Sequence, residues 1–280
     1  MAAPPPVPEK LSAELDESFA LPAGALEHFR VEGYVKLKQM FSHELLKFYG
    51  DAITRQVLRL NTLTKPMAER STYERAFLQV MNLWTKDEIC RQFSFGKRLA
   101  GVAAELMGVK GVRIYHDQAL YKEAGGGFTP WHADQYYWPL SNDNTCTAWV
   151  PLQTTPLEMG PLAFAARSHR LGFGRDLEIS DESEARIREM LGAEKFTYVE
   201  EPYEFGEVSF HSGWTFHRAG ANSSSQARAV MTVIYMEDGI RLITPRNKHQ
   251  QQDWETWLPG CKIGENANTK LNPVLWKKET

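Results

Sequence analysis

The 280-residue sequence predicts a mainly β (α+β) domain: helices first, then a β-barrel or sandwich, then a tail packed back onto the body. Three observations lead there. Short β-prone runs punctuated by glycine or proline fill the chain from Val112 to Met236, two helical runs precede them, and Trp254, Trp257 and Trp276 stud an otherwise polar C-terminal segment. The length suits one or two domains, and all-β barrels routinely use it for one.

Residues 1–22 carry four prolines before Glu9 and read as a flexible, extended arm. Leu26 and Phe29 then lie on a short helix that passes through Gly33 into the alternating strand from Tyr34 to Lys38. Ser42 precedes Leu45, Leu46, Tyr49, Ile53, Val57 and Leu60, which is helical spacing behind an N-cap. A second helix is expected from Lys86 to Met107, with Thr85 and Glu88 as a capping box and Gly108 as its stop. Strands follow at Val112–Tyr115, Thr145–Leu152, Tyr198–Tyr203, Glu207–Phe210 and Ala229–Met236. The acidic stretch 178–194, with Ile187, Met190 and Leu191 on one side, reads as a helical insertion. Residues 23–245 therefore form one domain, and 246–280 a tail docked on it.

Composition excludes several function classes. A 42% apolar and 24% charged chain is ordinary globular material rather than disordered or fibrous. The net charge of −3 gives no positive field for nucleic acid. Three widely spaced cysteines suit neither a disulfide framework nor a cysteine zinc site. With neither a membrane-length apolar run nor a signal-like start, a cytoplasmic protein acting on a small molecule is expected.

The chemistry starts at Trp131-His132-Ala133-Asp134. Residues two apart on a strand face one way, so His132 and Asp134 can reach one ion from one strand end. A distant third ligand would complete two histidines and a carboxylate, the set that leaves positions open on Fe(II). The triplet alone is a weak signal, and its surroundings strengthen it. A triple-glycine turn precedes it, and five aromatics fall within Phe128–Trp138, against 11% of the whole chain. His211 and His217 compete as the third ligand, with His116 a more distant rival. Arg228 stands eleven residues beyond His217, at the head of an apolar strand. A guanidinium buried there needs an anion, and a dicarboxylate cosubstrate would supply one through a bidentate pair.

Other segments fall in a recognisable order. Phe29 through Gly33-Tyr34-Val35, Gln118-Ala119-Leu120-Tyr121-Lys122, Thr147-Ala148-Trp149 and Gly160-Pro161-Leu162 to Ser168-His169-Arg170 all flank the candidate ligands in sequence. Together with His-x-Asp, a distal His and the later Arg, they resemble the phytanoyl-CoA dioxygenase family of Fe(II)/2-oxoglutarate oxygenases over roughly residues 25–240. The resemblance implies a double-stranded β-helix (a jelly roll or cupin-like barrel) with N-terminal helices packed on it. It implies that His132, Asp134 and His217 hold Fe(II) and that Arg228 binds 2-oxoglutarate, with Gln118, Trp149 and Gln79 lining that cosubstrate. Dioxygen is the second cosubstrate, and the implied reaction is oxidation, foremost hydroxylation, of a C–H bond in a small, fairly apolar metabolite, releasing succinate and CO2. Trp131, Tyr136, Tyr137, Trp138, Trp214 and Phe216 are the expected substrate contacts. A cupin-like metalloenzyme that does not use 2-oxoglutarate is the alternative; it would not need Arg228 near the metal.

Overall fold

The computed structural model describes residues 6–278. Helices come first: α1 (Glu9–Asp16), α2 (Ala25–Glu32) and, after strand β1 (Tyr34–Leu37), the long α3 (His43–Leu60). Gly33 turns α2 into β1 at φ +84, where a Cβ would collide with His169 and Thr215. Ser42 caps α3 as expected, its hydroxyl accepting from Leu45 N at 3.1 Å. The short α4 (Thr72–Ala76) and strand β2 (Leu78–Met81) follow.

Three expectations need correction here. Residues 9–16 of the arm form a helix, whose Leu11 and Leu15 are 1% and 3% exposed. They stand at i and i+4 on one face and dock among α3 and the two helices that follow β2, so that apolar pair outweighs the neighbouring prolines. Residues 1–5 of the arm lie outside the described residues. The single helix expected over 86–107 is two, α5 (Glu88–Ser94) and α6 (Lys97–Met107), broken at Gly96. A Cβ on Gly96 would sit 3.1 Å from the Leu15 carbonyl, so the break lets α1 approach. The cap is Asp87 rather than Thr85: its carboxylate accepts from Ile89 N and Cys90 N at 2.9 and 3.0 Å.

The remaining elements are β3 (Gly111–Lys122), β4 (Thr129–His132), β5 (Thr145–Pro151), β6 (Leu162–Ala165), α7 (Asp181–Ala193), β7 (Tyr198–Glu200), β8 (Val208–Ser212), β9 (His217–Ala219), β10 (Arg228–Glu237), α8 (Lys248–Trp257) and β11 (Val274–Lys277). They build two antiparallel sheets. The larger runs β1-β8-β5-β10-β3-β11, with β2 also paired to β3, and the smaller runs β4-β9-β6-β7. The sheets face each other; Tyr34 stacks on Phe164 across the gap with ring centroids 4.3 Å apart. This mixed helix-and-antiparallel-sheet architecture is the jelly-roll type expected.

The larger sheet is apolar on its outer face and mixed within. Cys146, Ala148 and Val150 of β5, and Met231, Val233 and Tyr235 of β10, join the core beneath the N-terminal helices. Their neighbours Thr147, Trp149, Thr232 and Ile234 point the other way and line a cavity between the sheets. Near the C-terminus β11 pairs with β3, and Trp254 and Trp257 pack against a second core around Tyr115, Trp138 and Leu242. Among the described residues no helix is long and apolar enough to cross a membrane.

Because Leu11 is buried within the helical layer, Leu11→Ala should destabilise the whole domain by about 3 kcal/mol. Equilibrium urea unfolding checks this, and an unchanged midpoint would mean the arm helix is dispensable.

Candidate active site

Strands β4 and β9 bring the site together. Their pairing sets His132 directly opposite His217, with an irregularity between Thr129 and His132 that leaves Thr129 opposite Ala219. One extra residue in β4 thereby turns both Thr129 and His132 toward the cavity. Asp134 lies just past the strand, at the head of a 3-10 turn over Asp134–Tyr137. Its Oδ1 is 3.6 Å from His132 Nε2 and 3.5 Å from His217 Nε2. The three offer ligand atoms within 4.8 Å of one another, and among the described residues no other group of three His, Cys, Asp or Glu does so.

Both imidazoles are set for metal binding by the backbone. His132 Nδ1 donates to Pro130 O at 2.8 Å and His217 Nδ1 to Thr215 O at 2.9 Å, leaving each Nε2 lone pair directed at the shared point. Burial pushes both rings down to about 4, so each is a neutral ligand at pH 7. For Asp134 burial acts upward, but His217, His211 and His132 outweigh it and hold the acid well below the usual carboxylate range. Its other oxygen accepts from the Thr147 hydroxyl at 2.9 Å and from His211 Nε2 at 3.2 Å. His211 thus braces the carboxylate. His116, the other rival for third ligand, lies elsewhere on the cavity wall.

Arg228 is 1% exposed and also lines the cavity. Its Nη1 donates to Gly160 O at 2.5 Å, its Nε has no partner, and its guanidinium carbon lies 5.4 Å from the Trp149 ring centre. Burial lowers it to about 10, still cationic at neutral pH. Opposite it in the ladder is Lys122, fully buried, donating to the Gly127 carbonyl. Burial, with Arg228 adding to it, pushes that ammonium down to about 6, so Arg228 is the standing charge. No carboxylate pairs with it among the described residues, so its charge is buried there without a counter-ion.

The cavity has a volume of about 500 Å³. Gln118, Trp149 and Gln79 line it, the two glutamines joined by a 2.6 Å hydrogen bond. Of the expected substrate contacts, Tyr137 and Trp138 face it. Trp131, Trp214 and Phe216 do not: they pack on the outer side of the smaller sheet against Ile187 and Leu191 of α7. Strand alternation explains this for Trp131 and Phe216, because each precedes an inward-facing histidine and must point outward. Tyr136 is buried against Tyr137 and likewise stands off the cavity wall. Sequence reasoning missed the wall from α8. His249, Gln252, Asp253, Thr256 and Trp257 follow the i, i+3, i+4, i+7, i+8 rule of one helical face, a spacing visible in the sequence.

Comparison with known proteins agrees with this architecture. The carbocyclase SnoK from nogalamycin biosynthesis, described as non-heme and alpha ketoglutarate dependent, superposes with a TM-score of 0.74 at 23% identity, covering 91% of this chain and 96% of that one. The epimerase SnoN, solved in complex with Fe3+, alpha ketoglutarate and nogalamycin RO, gives 0.72 at 24% identity over 90% and 97% of the two chains. EctD from S. alaskensis, solved with 2-oxoglutarate and 5-hydroxyectoine, gives 0.64 at 20% over 82% and 83%. No curated protein sequence matches the chain significantly. The family model for phytanoyl-CoA dioxygenase matches residues 29–230, a span that carries the triad, the jelly-roll strands around it and the buried arginine, and the chain belongs to that family.

Proposed function

We propose that the chain is an Fe(II)- and 2-oxoglutarate-dependent oxygenase that hydroxylates a C–H bond of a small, fairly apolar metabolite. The observation that carries this reading is the pairing of two features in one cavity. A facial set of two neutral imidazoles and a carboxylate stands beside a buried guanidinium that no acid among the described residues pairs with. An oxygenase that did not use 2-oxoglutarate would have no need of that cation, and its burial would be a cost without a return.

The residues fit the cofactor and cosubstrate. Two ring nitrogens held in one tautomer and one ionised oxygen would hold a ferrous ion. Arg228 receives the distal carboxylate of 2-oxoglutarate through its fork, with Trp149 against the guanidinium. Gln118 and Gln79, tied to each other, complete that wall. When bound, iron with 2-oxoglutarate and dioxygen supplies the oxidising power, releasing succinate and CO2. The protein's part is positioning. Thr147 and His211 fix Asp134, while Phe77, Met81, Trp138 and Ile179 offer an apolar bed that holds a C–H bond near the metal and keeps water out. The similar folds of SnoK and SnoN, named as a carbocyclase and an epimerase, show why the outcome needs its own measurement.

Anaerobic addition of Fe(II) and 2-oxoglutarate should produce the visible metal-to-ligand charge-transfer band; no band at saturating ligand would sink the proposal. His132→Ala and Asp134→Ala should each abolish turnover. A product heavier by one oxygen atom marks hydroxylation, whereas an unchanged mass marks epimerisation. Arg228→Ala should weaken 2-oxoglutarate binding about a hundredfold while the band still forms at saturation. His211→Phe should lower metal affinity by about 10–100-fold, read by calorimetric titration, because Asp134 loses a brace while every ligand remains.

A further inference from the structure

The cavity has a second polar cluster, carried on elements other than the strands of the triad and of Arg228. It is made by β3 and α8. Asp253, Thr256 and Trp257 come from the inward face of α8, and His116 comes from β3. His116 faces the cavity only because β3 is irregular there. Ile234 pairs with His116 while Tyr235 pairs with Ile114, so Tyr115 is an extra residue that reverses the phase of the strand. Ile114 therefore joins the core under the helices, whereas His116, two residues on, lines the cavity. The same irregularity sends the Tyr115 hydroxyl to Asp253 Oδ2 at 3.1 Å.

The chemistry of this cluster is specific. Asp253 is partly buried, and among the described residues no lysine or arginine forms an ion pair with it. Arg228, outside this cluster, is the one permanently cationic residue on the cavity wall. Burial pushes the Asp253 carboxyl up to about 7, the behaviour of an acid short of a counter-charge. His116 is buried, its Nδ1 has no hydrogen-bond partner, and burial lowers it to about 4, so it brings no positive charge. Aromatic rings flank His116, with Trp257 at 5.1 Å and Tyr115 at 5.3 Å between ring centroids, and Tyr73, Tyr137 and Trp138 line the same cavity. An uncompensated carboxylate among aromatic faces is the recognition chemistry of an alkylammonium group.

We infer that Asp253, with His116 and Trp257, forms a recognition site for a protonated amine on the substrate. The inference rests on the oxygenase reading for what happens to that substrate, but the binding site stands on its own residues. Registers give its scale. His116, Ile234 and Thr147 are paired in a row across β3, β10 and β5, and the Thr147 hydroxyl holds Asp134. Two strand spacings thus separate the amine end from the strand position that braces the metal carboxylate, roughly 10 Å. The substrate class is an amine-bearing molecule with a flat or apolar body of about that length.

The test is calorimetric titration of the full-length chain with tryptamine and with tryptophol, which share a ring and differ in the terminal group. It is run anaerobically, with and without Fe(II) and 2-oxoglutarate. The amine should bind about tenfold more tightly than the alcohol, the advantage of one charge-assisted hydrogen bond over a neutral one. Asp253→Asn, which keeps the shape and a partner for Tyr115, should remove that preference and leave alcohol binding unchanged. Equal binding of the two probes by the unaltered chain, no binding of the amine, or a preference that survives Asp253→Asn would overturn the inference. Failure in the metal-free titration leaves the charge-transfer result untouched, and a missing band leaves the amine preference untouched, so the two readings fail separately.

Discussion

Each long strand of the larger sheet has to satisfy two interiors at once. One face lies under the helices and must be apolar; the other lines a cavity that carries charge. A strand meets both demands through its two-residue period, and β5 shows it in consecutive residues: Cys146, Ala148 and Val150 go to the core, Thr147 and Trp149 to the cavity. A slip of one residue would bury Thr147 under helices and remove one of the two hydrogen bonds on Asp134, so the register is fixed from both sides. Where simple alternation would aim a side chain wrongly, the chain inserts a residue. The irregularities before His132 and at Tyr115 turn one imidazole toward the metal position and another toward the second polar cluster.

The polar groups enclosed this way differ in how far the protein itself satisfies them. His132 and His217 each use one nitrogen on a backbone carbonyl, and Asp134 has two donors on one oxygen. What remains open is the side of each group that faces the common point. Arg228 is held at one nitrogen by Gly160 and has no acid partner among the described residues, and Asp253 is held at one oxygen by Tyr115. Buried charge that is oriented but not neutralised is costly for folding and useful for binding. The surrounding apolar layers, with the arm helix and tail docked on them, supply the stability that tolerates it.

Gly160 shows how tightly the Arg228 end of the cavity is assembled. It sits at φ +66, and a Cβ there would lie 2.1 Å from the Gly220 carbonyl. The loops before β6 and after β9 therefore touch backbone to backbone, and the Gly160 carbonyl is free to accept Arg228. Glu184 does a similar task on the outer side. Its carboxylate accepts from Trp131 N at 2.7 Å and pairs with Arg218 at 3.3 Å, clamping α7 over the strand that ends in His132. The acidic insertion is part of the support for β4.

Much of the fold and the centre of the site could be read without coordinates. The punctuated β-runs, the Ser42 cap, the His-x-Asp triplet and the arginine eleven residues after His217 are local patterns, and local patterns survive in a single sequence. The aromatic cluster around the triplet marked the right neighbourhood but only some of the right rings: Tyr137 and Trp138 face the cavity, whereas Trp131, like Phe216 beside His217, alternates away from the histidine it adjoins. Tertiary structure alone decided that His211 braces Asp134 rather than joining the ligands, since that depends on which strand lies beside β5. It also decided that α8, far along the chain, closes the cavity. Its inward face was written in the spacing from His249 to Trp257, but no local rule states what a helical face will meet. The sequence by itself determined which residues can do chemistry; the pairing of distant strands and the docking of the tail determined which of them share one cavity.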